Sequence, residues 1–314
     1  MRIAIVGAGA MGSLFGARLA ESGADAILVD VNRPHIEAIR ERGLTFEDGP
    51  ETRQVRIPAT ADASEAGKAD FVILFCKHPH TRQAIQDARP MLTDETFVWT
   101  PQNGIGNVEI IAEVMPESRI AKGLTSSTAI PVGPGQIRTN FQGETETFIW
   151  PVDGGEHPLI HEAASLLTRA GLPTHLASDI DYRIWRKLCV NATLTTITAA
   201  INTPIGAIGE HESGQWFMRR IVEEVVAVAR AKGIPLTYDD GFGYVEELRR
   251  KAFNHIGSTT GDMQNRQATE IGAMNGAVVR EGQKLGVPTP INEAVTHFVR
   301  LLEATRADRL PIPI

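Results

Sequence analysis

The opening stretch RIAIVGAGAMGSLFGARLAESGADAILVD carries Gly7, Gly9 and Gly12 in the spacing G-x-G-x-x-G. The spacing alone says little; its setting constrains the fold. A short β-branched apolar run, residues 2–6, ends at Gly7, and residues 11–22 have helical spacing, with Leu14, Ala17 and Leu19 free to face a core. A strand that turns at once into a helix through glycines is the setting in which this pattern binds a dinucleotide. Gly7 permits the tight turn, Gly9 lets a pyrophosphate approach the backbone, and Gly12 lets helix and strand pack closely. The first amides of the helix then face the phosphates, so Gly7, Gly9, Ala10, Met11 and Gly12 are the candidate phosphate loop.

The next apolar run, residues 26–29, stops on Asp30, about twenty residues beyond the loop. A carboxylate there accepts hydrogen bonds from ribose hydroxyls and repels a 2′-phosphate. One pair of unit charges about 4 Å apart is worth roughly 4 kcal/mol at an effective dielectric near 20. Even after discounting for solvent, this favours NAD(H), with NADP(H) the alternative because Arg33 stands close enough to meet a phosphate.

Further strands are expected at 71–75 and 97–100, with helices at 35–42 and 81–88. Strands alternating with helices indicate a parallel sheet. Between about 122 and 152, Gly and Pro are frequent and short β-like runs suggest antiparallel strands; a helix at 157–171 follows. From about 178 onward strand signals nearly vanish, and four long segments carry helical periodicity. The expectation is an α/β Rossmann-type N-terminal domain, 1–177, followed by an all-α C-terminal domain, 178–314, for substrate binding and dimerisation. The last six residues, RLPIPI, are too proline-rich for a helix and read as an extended end.

Composition removes several classes. The chain of 314 residues has a net charge of −7 and no dense basic block, which disfavours nucleic acid and anionic membranes as partners. No apolar stretch approaches the roughly 18 residues of a membrane span, and glycines and Arg18 break the N-terminal run that a signal peptide would need. Two cysteines, Cys76 and Cys189, are too few for a disulfide framework or a cysteine-based zinc site and read as buried small hydrophobes. The nine histidines show no metal-binding spacing, and G-x-S-x-G is absent. The chain reads as cytoplasmic, with a small-molecule partner and no metal.

A second constellation lies farther on. WRKLCVNATLT puts Lys187, Asn191 and Thr195 at i, i+4 and i+8, on one face of a helix. Gln102 to Gly104, and Lys77, each follow a strand end, where open α/β sheets bind ligands. Ser258 and Asp262 are expected at the start of a helix that carries Glu270 farther along, with amides suited to a carboxylate.

With these residues the chain resembles the ketopantoate reductase family. The resemblance spans nearly the whole chain, through GAGAMGSLFGARLAESG, LFCKHPHT, TPQNGIGN, IWRKLCVNATLTTITAAIN, ATEIGAMNGAVV and GVPTPINE. It implies reduction of a 2-oxo acid to its 2-hydroxy acid, with a Rossmann domain and a helical domain flanking the active cleft. By that resemblance Lys187 is the general acid that protonates the keto oxygen, and Glu270 supports substrate and lysine. Asn103 holds the nicotinamide end near Lys187 and touches substrate. Lys77 sits beside the cofactor, and Asn191, Thr195 and Ser258 line the substrate pocket. The chemistry suits these types: the oxygen gains negative charge as hydride adds, and an ammonium both stabilises and protonates it.

Departures from the family pattern matter. Thr195 and Ile205 replace two asparagines that help bind the hydroxylated end of ketopantoate, and Val31 stands where NADPH-using members carry a basic residue. They leave two substrates in play: 2-dehydropantoate itself, or a less polar 2-oxo acid as in NAD-dependent D-2-hydroxy-acid dehydrogenases of the same family. A reading from another class is a non-catalytic NAD-binding regulatory protein. A helical second domain offers surfaces for a homodimer.

Overall fold

The protein is represented by a computed structural model, which describes residues 1–139 and 145–308; the RLPIPI end lies outside the described residues. The chain forms two compact units, Met1–Gln102 with Asn107–Ile180, and Asn103–Gly106 with Asp181–Ile314.

The first unit begins with β1 (Arg2–Val6), α1 (Ala10–Glu21), β2 (Asp25–Val29) and α2 (Arg33–Arg42), then three short strands, β3 (Leu44–Asp48), β4 (Glu51–Val55) and β5 (Ala59–Thr60). There follow β6 (Phe71–Leu74), α3 (Thr81–Asp87), β7 (Phe97–Thr100), α4 (Asn107–Ile111), β8 (Ile120–Thr125), β9 (Ala129–Gly133) and β10 (Gln136–Thr139). The unit closes with β11 (Thr147–Pro151), α5 (Pro158–Arg169) and β12 (Thr174–Leu176). Eight strands make one sheet in the order β12-β11-β8-β7-β6-β1-β2-β5. It is parallel except where β11 meets β8. Both faces are buried, which is why these strands read as unbroken apolar runs. Ile3, Ile5, Phe71, Ile73 and Trp99 pack with Phe15 of α1 and Ile160 of α5; the alternate residues Ala4, Val6, Val72, Leu74 and Val98 pack with Ile85 and Ile111.

A second sheet was not apparent from the sequence. It has the order β4-β3-β10-β9. The antiparallel expectation for 122–152 holds for β8 with β11 and for β9 with β10, but β10 also pairs in parallel with distant β3. Strand β4, sequence ETRQV, is mostly solvent-facing and shows no apolar alternation.

The second unit is helical: α6 (Ile180–Val190), α7 (Thr196–Ile201), α8 (Glu212–Ala231), α9 (Tyr238–Lys251), α10 (Ser258–Gln264), α11 (Asn275–Leu285) and α12 (Pro290–Ala304). Trp185, Met218, Val222, Val225, Val278 and Val299 form its core. Two expectations fail here. The helix carrying Lys187 is not α throughout: Asn191–Thr195 is a π turn between α6 and α7. Threonines explain the local geometry, since Thr193, Thr195 and Thr196 donate to the carbonyls of Cys189, Asn191 and Ala192, and such back-bonding bends helices. Nor is Glu270 on the helix of Ser258. That helix ends at Gln264, Arg266 takes a left-handed φ of 56°, and Glu270 sits in a turn that Ala273 N–H closes onto its carbonyl.

Among the described residues no helix is long and apolar enough to cross a membrane.

The start of α1 sits directly on the end of β1. A Cβ added at Gly12 would fall on the Gly7 carbonyl oxygen and against Ile5, whereas one added at Gly9 would meet nothing within 4 Å. Gly12→Ala should therefore cost about 1–3 kcal/mol and lower the melting temperature by several degrees. Gly9→Ala should stay within about 0.5 kcal/mol of wild type. Circular dichroism melts of both variants check this, and equal losses would contradict it.

Candidate functional site

Each unit carries one cluster. In the first, Gly7 adopts φ +94°, and a side chain there would strike the backbone of Cys76. Its N–H donates to Val29 C=O at 2.9 Å, which ties the turn to β2. Gly9 is the N-cap of α1, which has no side-chain cap and no acidic residue in its first turn; Ser13 N–H makes a helical bond to Gly9 C=O. The amides of residues 10–12 have no intrahelical acceptors, as in any α-helix. Beside them the space over Gly9 is open, and Ala10 and Met11 are partly exposed. An uncapped, positively polarised helix end beside a vacant Cβ position fits the pyrophosphate of a dinucleotide.

Asp30, partly exposed, stands at the end of β2. Its Oδ1 accepts Asn32 N–H at 2.8 Å, and its own N–H donates to Thr60 C=O. Val31 beside it projects into solvent, 81% exposed. Arg33, the first residue of α2, acts electrostatically on Asp62.

Lys77 follows β6 and opens a 3₁₀ turn, His78–His80. A polar network without a sequence motif of its own holds this loop to the one after β7. Gln102 Nε2 donates to Cys76 C=O and to Thr81 Oγ1 (2.9 Å), and Thr100 Oγ1 donates to Gln102 Oε1 (2.8 Å). Thr81 Oγ1 and His78 Nδ1 both meet Asn107 Oδ1, at 3.2 and 2.8 Å. The available signal was polar residues packed at the carboxyl ends of two buried strands. Of the two cysteines, Cys189 is buried and its thiol is pushed up to about 12 by that burial, while Cys76 is only partly buried.

In the second unit, the segment Asn103–Gly106 is bonded to the turn that carries Glu270. Gly104 has φ +79°, a Cβ there would overlap the Ala273 carbonyl, and Ile105 N–H donates to that same oxygen at 3.0 Å. This anchors Asn103, whose Oδ1 accepts from Lys187 Nζ at 3.0 Å. Burial pulls the Lys187 pKa down to about 8, against the opposing pull of the Glu270 carboxylate. Glu270 is itself buried. Lys187, Asn103 and Glu270, expected together only from a resemblance, thus form one cluster.

Asn191, buried, and Thr195 follow on the π turn. Eight residues of pure α-helix would swing Thr195 about 80° away from Lys187; the wider π turn takes back part of that drift. The Thr195 hydroxyl donates to Asn191 C=O at 2.7 Å, accepts from Thr259 at 3.3 Å and lies 3.8 Å from Met274 Sδ. Ile205 belongs to the apolar core, and a Cβ added at Gly257 would touch both Thr195 and Ile205. Ser258, next along, is the exposed first residue of α10. Among the described residues no group of three or more His, Cys, Asp or Glu could hold a metal ion.

Comparison with known proteins gives a consistent picture. Residues 3–150 match the family described as ketopantoate reductase PanE/ApbA, and residues 179–303 match its C-terminal counterpart. The 2-dehydropantoate 2-reductase of Streptococcus pyogenes serotype M18 is 34% identical over 305 residues, 97% of this chain and 98% of its own. A D-mandelate dehydrogenase solved with NADH and anilino(oxo)acetate is 30% identical with a TM-score of 0.92, covering 97% of this chain and 99% of that one. A PanE/ApbA family ketopantoate reductase from Ralstonia eutropha JMP134 is 30% identical with a TM-score of 0.88, covering 98% and 100%.

The electrostatics of Lys187 can be measured directly. Its ammonium should titrate near pH 8 by ¹³Cε NMR. Glu270→Gln removes the charge that raises that value, so the midpoint should fall further. A midpoint that rises, or stays put, in Glu270→Gln would contradict the pairing.

Proposed function

The chain belongs to the ketopantoate reductase family, and from that premise we propose that it is an NADH-linked oxidoreductase interconverting a 2-oxo acid and its 2-hydroxy acid. The observation that carries this reading is the partly desolvated Lys187 ammonium bonded to Asn103 and attracted by Glu270. A purely regulatory nucleotide binder has no use for such a group. The glycine loop and α1 amides would hold the pyrophosphate, Asp30 the adenosine ribose, and Lys77 and Asn103 other parts of the cofactor. When bound, a reduced nicotinamide would supply the hydride that adds to the carbonyl carbon.

The chain's own part is the proton. As the new C–H bond forms, the carbonyl π pair moves onto oxygen, and that oxygen takes a proton from Lys187 Nζ. The lysine is left as a neutral amine that solvent reprotonates. Asn103 accepts one Nζ–H and so orients the others; Glu270 favours the charged form that can donate. A pKa near 8 suits both roles, since a general acid works best near its operating pH. Asn191 and Ser258 would bind substrate, with Ser258 toward its carboxylate.

For the substrate we favour a 2-oxo acid whose side chain is apolar or aromatic. Thr195 has committed its only hydrogen to a helical carbonyl and faces a thioether, and Ile205 is buried in the apolar core. Neither offers a donor to a hydroxylated substrate. The likeness to a D-mandelate dehydrogenase supports this choice. The second reading, reduction of 2-dehydropantoate, is favoured by the Streptococcus pyogenes relative.

Assays of phenylglyoxylate and 2-dehydropantoate with NADH and NADPH test both choices. Phenylglyoxylate and NADH should each lead by at least about tenfold in kcat/KM, roughly 1.4 kcal/mol. A preference for 2-dehydropantoate would establish the second reading, and equal use of both cofactors would remove the role given to Asp30. Lys187→Ala should lower kcat by roughly 10²–10⁴. In wild type, kcat for reduction should be level below pH 8 and fall above it, because the donor is the protonated form; oxidation should show the reverse. Wild-type turnover in Lys187→Ala would end the general-acid assignment.

A further inference from the structure

His35 lies in the first turn of α2, is 7% exposed, and takes no part in the chemistry described above. Its Nδ1 accepts the N–H of Gly135 at 3.0 Å. A backbone amide can only donate, so Nδ1 carries no proton and the neutral ring bears its hydrogen on Nε2. Nε2 lies 3.1 Å from Ser13 Oγ, and Ser13 Oγ lies 2.7 Å from the Ala8 carbonyl oxygen. That carbonyl can only accept. Both ends of the chain are therefore backbone groups of fixed polarity, and every bond has one direction: Gly135 N–H to His35, His35 to Ser13, Ser13 to Ala8 C=O.

Ala8 stands between Gly7 and Gly9, at the centre of the phosphate loop. In a trans peptide the carbonyl of one residue and the N–H of the next point in opposite directions in one plane. Holding Ala8 C=O against Ser13 therefore turns Gly9 N–H to the other side. Flipping this peptide rotates ψ of Ala8 and φ of Gly9, and Gly9 has no Cβ to resist the second rotation. Something outside the loop has to fix it, and the His35–Ser13 pair reaches it from α2, α1 and the turn between β9 and β10. The far end is firm: Gly135 has φ +70°, and a Cβ there would press on Ala38 of α2. Burial lowers the His35 pKa, against an opposing Asp30 charge and the Ala8 backbone, so the ring is neutral at pH 7.

We propose that His35 is a positioning residue for dinucleotide binding, acting through Ser13 to lock the Ala8–Gly9 peptide and aim the Gly9 amide at the pyrophosphate. The inference rests on reading the glycine loop as a dinucleotide site. In the free protein, ¹⁵N NMR of the imidazole should show the neutral Nε2–H tautomer at pH 7; the Nδ1–H tautomer would overturn the proposal. NADH titrations followed by fluorescence give the second readout. Ser13→Ala and His35→Leu should each raise the Kd about tenfold. The double variant should lose no more than the larger single loss, because both break one chain. His35→Gln, which keeps a donor for Ser13, should recover part of the affinity. Ser13→Ala removes only a hydroxyl, so it carries the test if His35→Leu does not fold. Lowered melting temperatures with unchanged Kd, or fully additive losses, would make the chain merely structural and overturn the proposal. Failure of the wild type to bind NADH or NADPH would instead overturn the dinucleotide reading, and the role of His35 with it.

Discussion

The close approach of α1 to the end of β1 is the constraint on which the first unit depends. Because Gly12 has no side chain, the helix can begin directly against the Gly7 carbonyl. Phe15 and Leu19 then reach the sheet beside Ile3 and Ile5. The same closeness leaves the uncapped amino end of α1 standing beside the central strand, where its amides are set by the core rather than by a flexible loop. A capping Ser or Asp at Gly9 would satisfy those amides locally and remove their use to a ligand. Packing and ligand chemistry thus impose one requirement on the same few residues.

In the second unit, opposing effects act on Lys187. Burial penalises the charged form, and the buried Glu270 carboxylate favours it. A lysine fully in water would stay near its usual pKa of about 10.4 and yield its proton reluctantly. A lysine buried without a carboxylate would be held lower still, and less of it would carry the proton at neutral pH. The pair sits between these limits, and Asn103 adds direction where Glu270 adds charge. Gly104 makes this arrangement possible, because only a residue without Cβ lets Asn103–Gly106 lie against Ala273.

The parts of the fold that could be read from the residues are those whose signal is local. Strands β1, β6 and β7 are short apolar runs because both of their faces are covered, and the glycine spacing announces the turn after β1. The second sheet escaped because β4 is solvent-facing and β10 finds its parallel partner β3 far away in sequence. Helical periodicity carries α6 through Asn191 and Thr195, since nothing in a hydrophobic count shows that successive threonines bond back to the helix. It also runs through Glu270, where the left-handed Arg266 and a closed turn end the regularity. Periodicity could not pair Lys187 with Asn103 across 84 positions; only the family resemblance brought them together. The His35 chain was invisible for the same reason, as Gly135 stands 100 residues away.

Thr195 shows how a small change can redirect specificity in the proposed reaction. An asparagine at this position would carry a two-hydrogen amide that a helical carbonyl cannot exhaust. A threonine has one hydrogen, and here the Asn191 carbonyl holds it. A substrate hydroxyl brought against Thr195 and Ile205 would leave water without a replacement donor, and an unsatisfied polar group costs about 1–3 kcal/mol. A methyl or aromatic edge in the same place has no polar group to leave unsatisfied and loses nothing. Discrimination then comes from the absence of a donor for the polar ligand rather than from any added attraction to the apolar one.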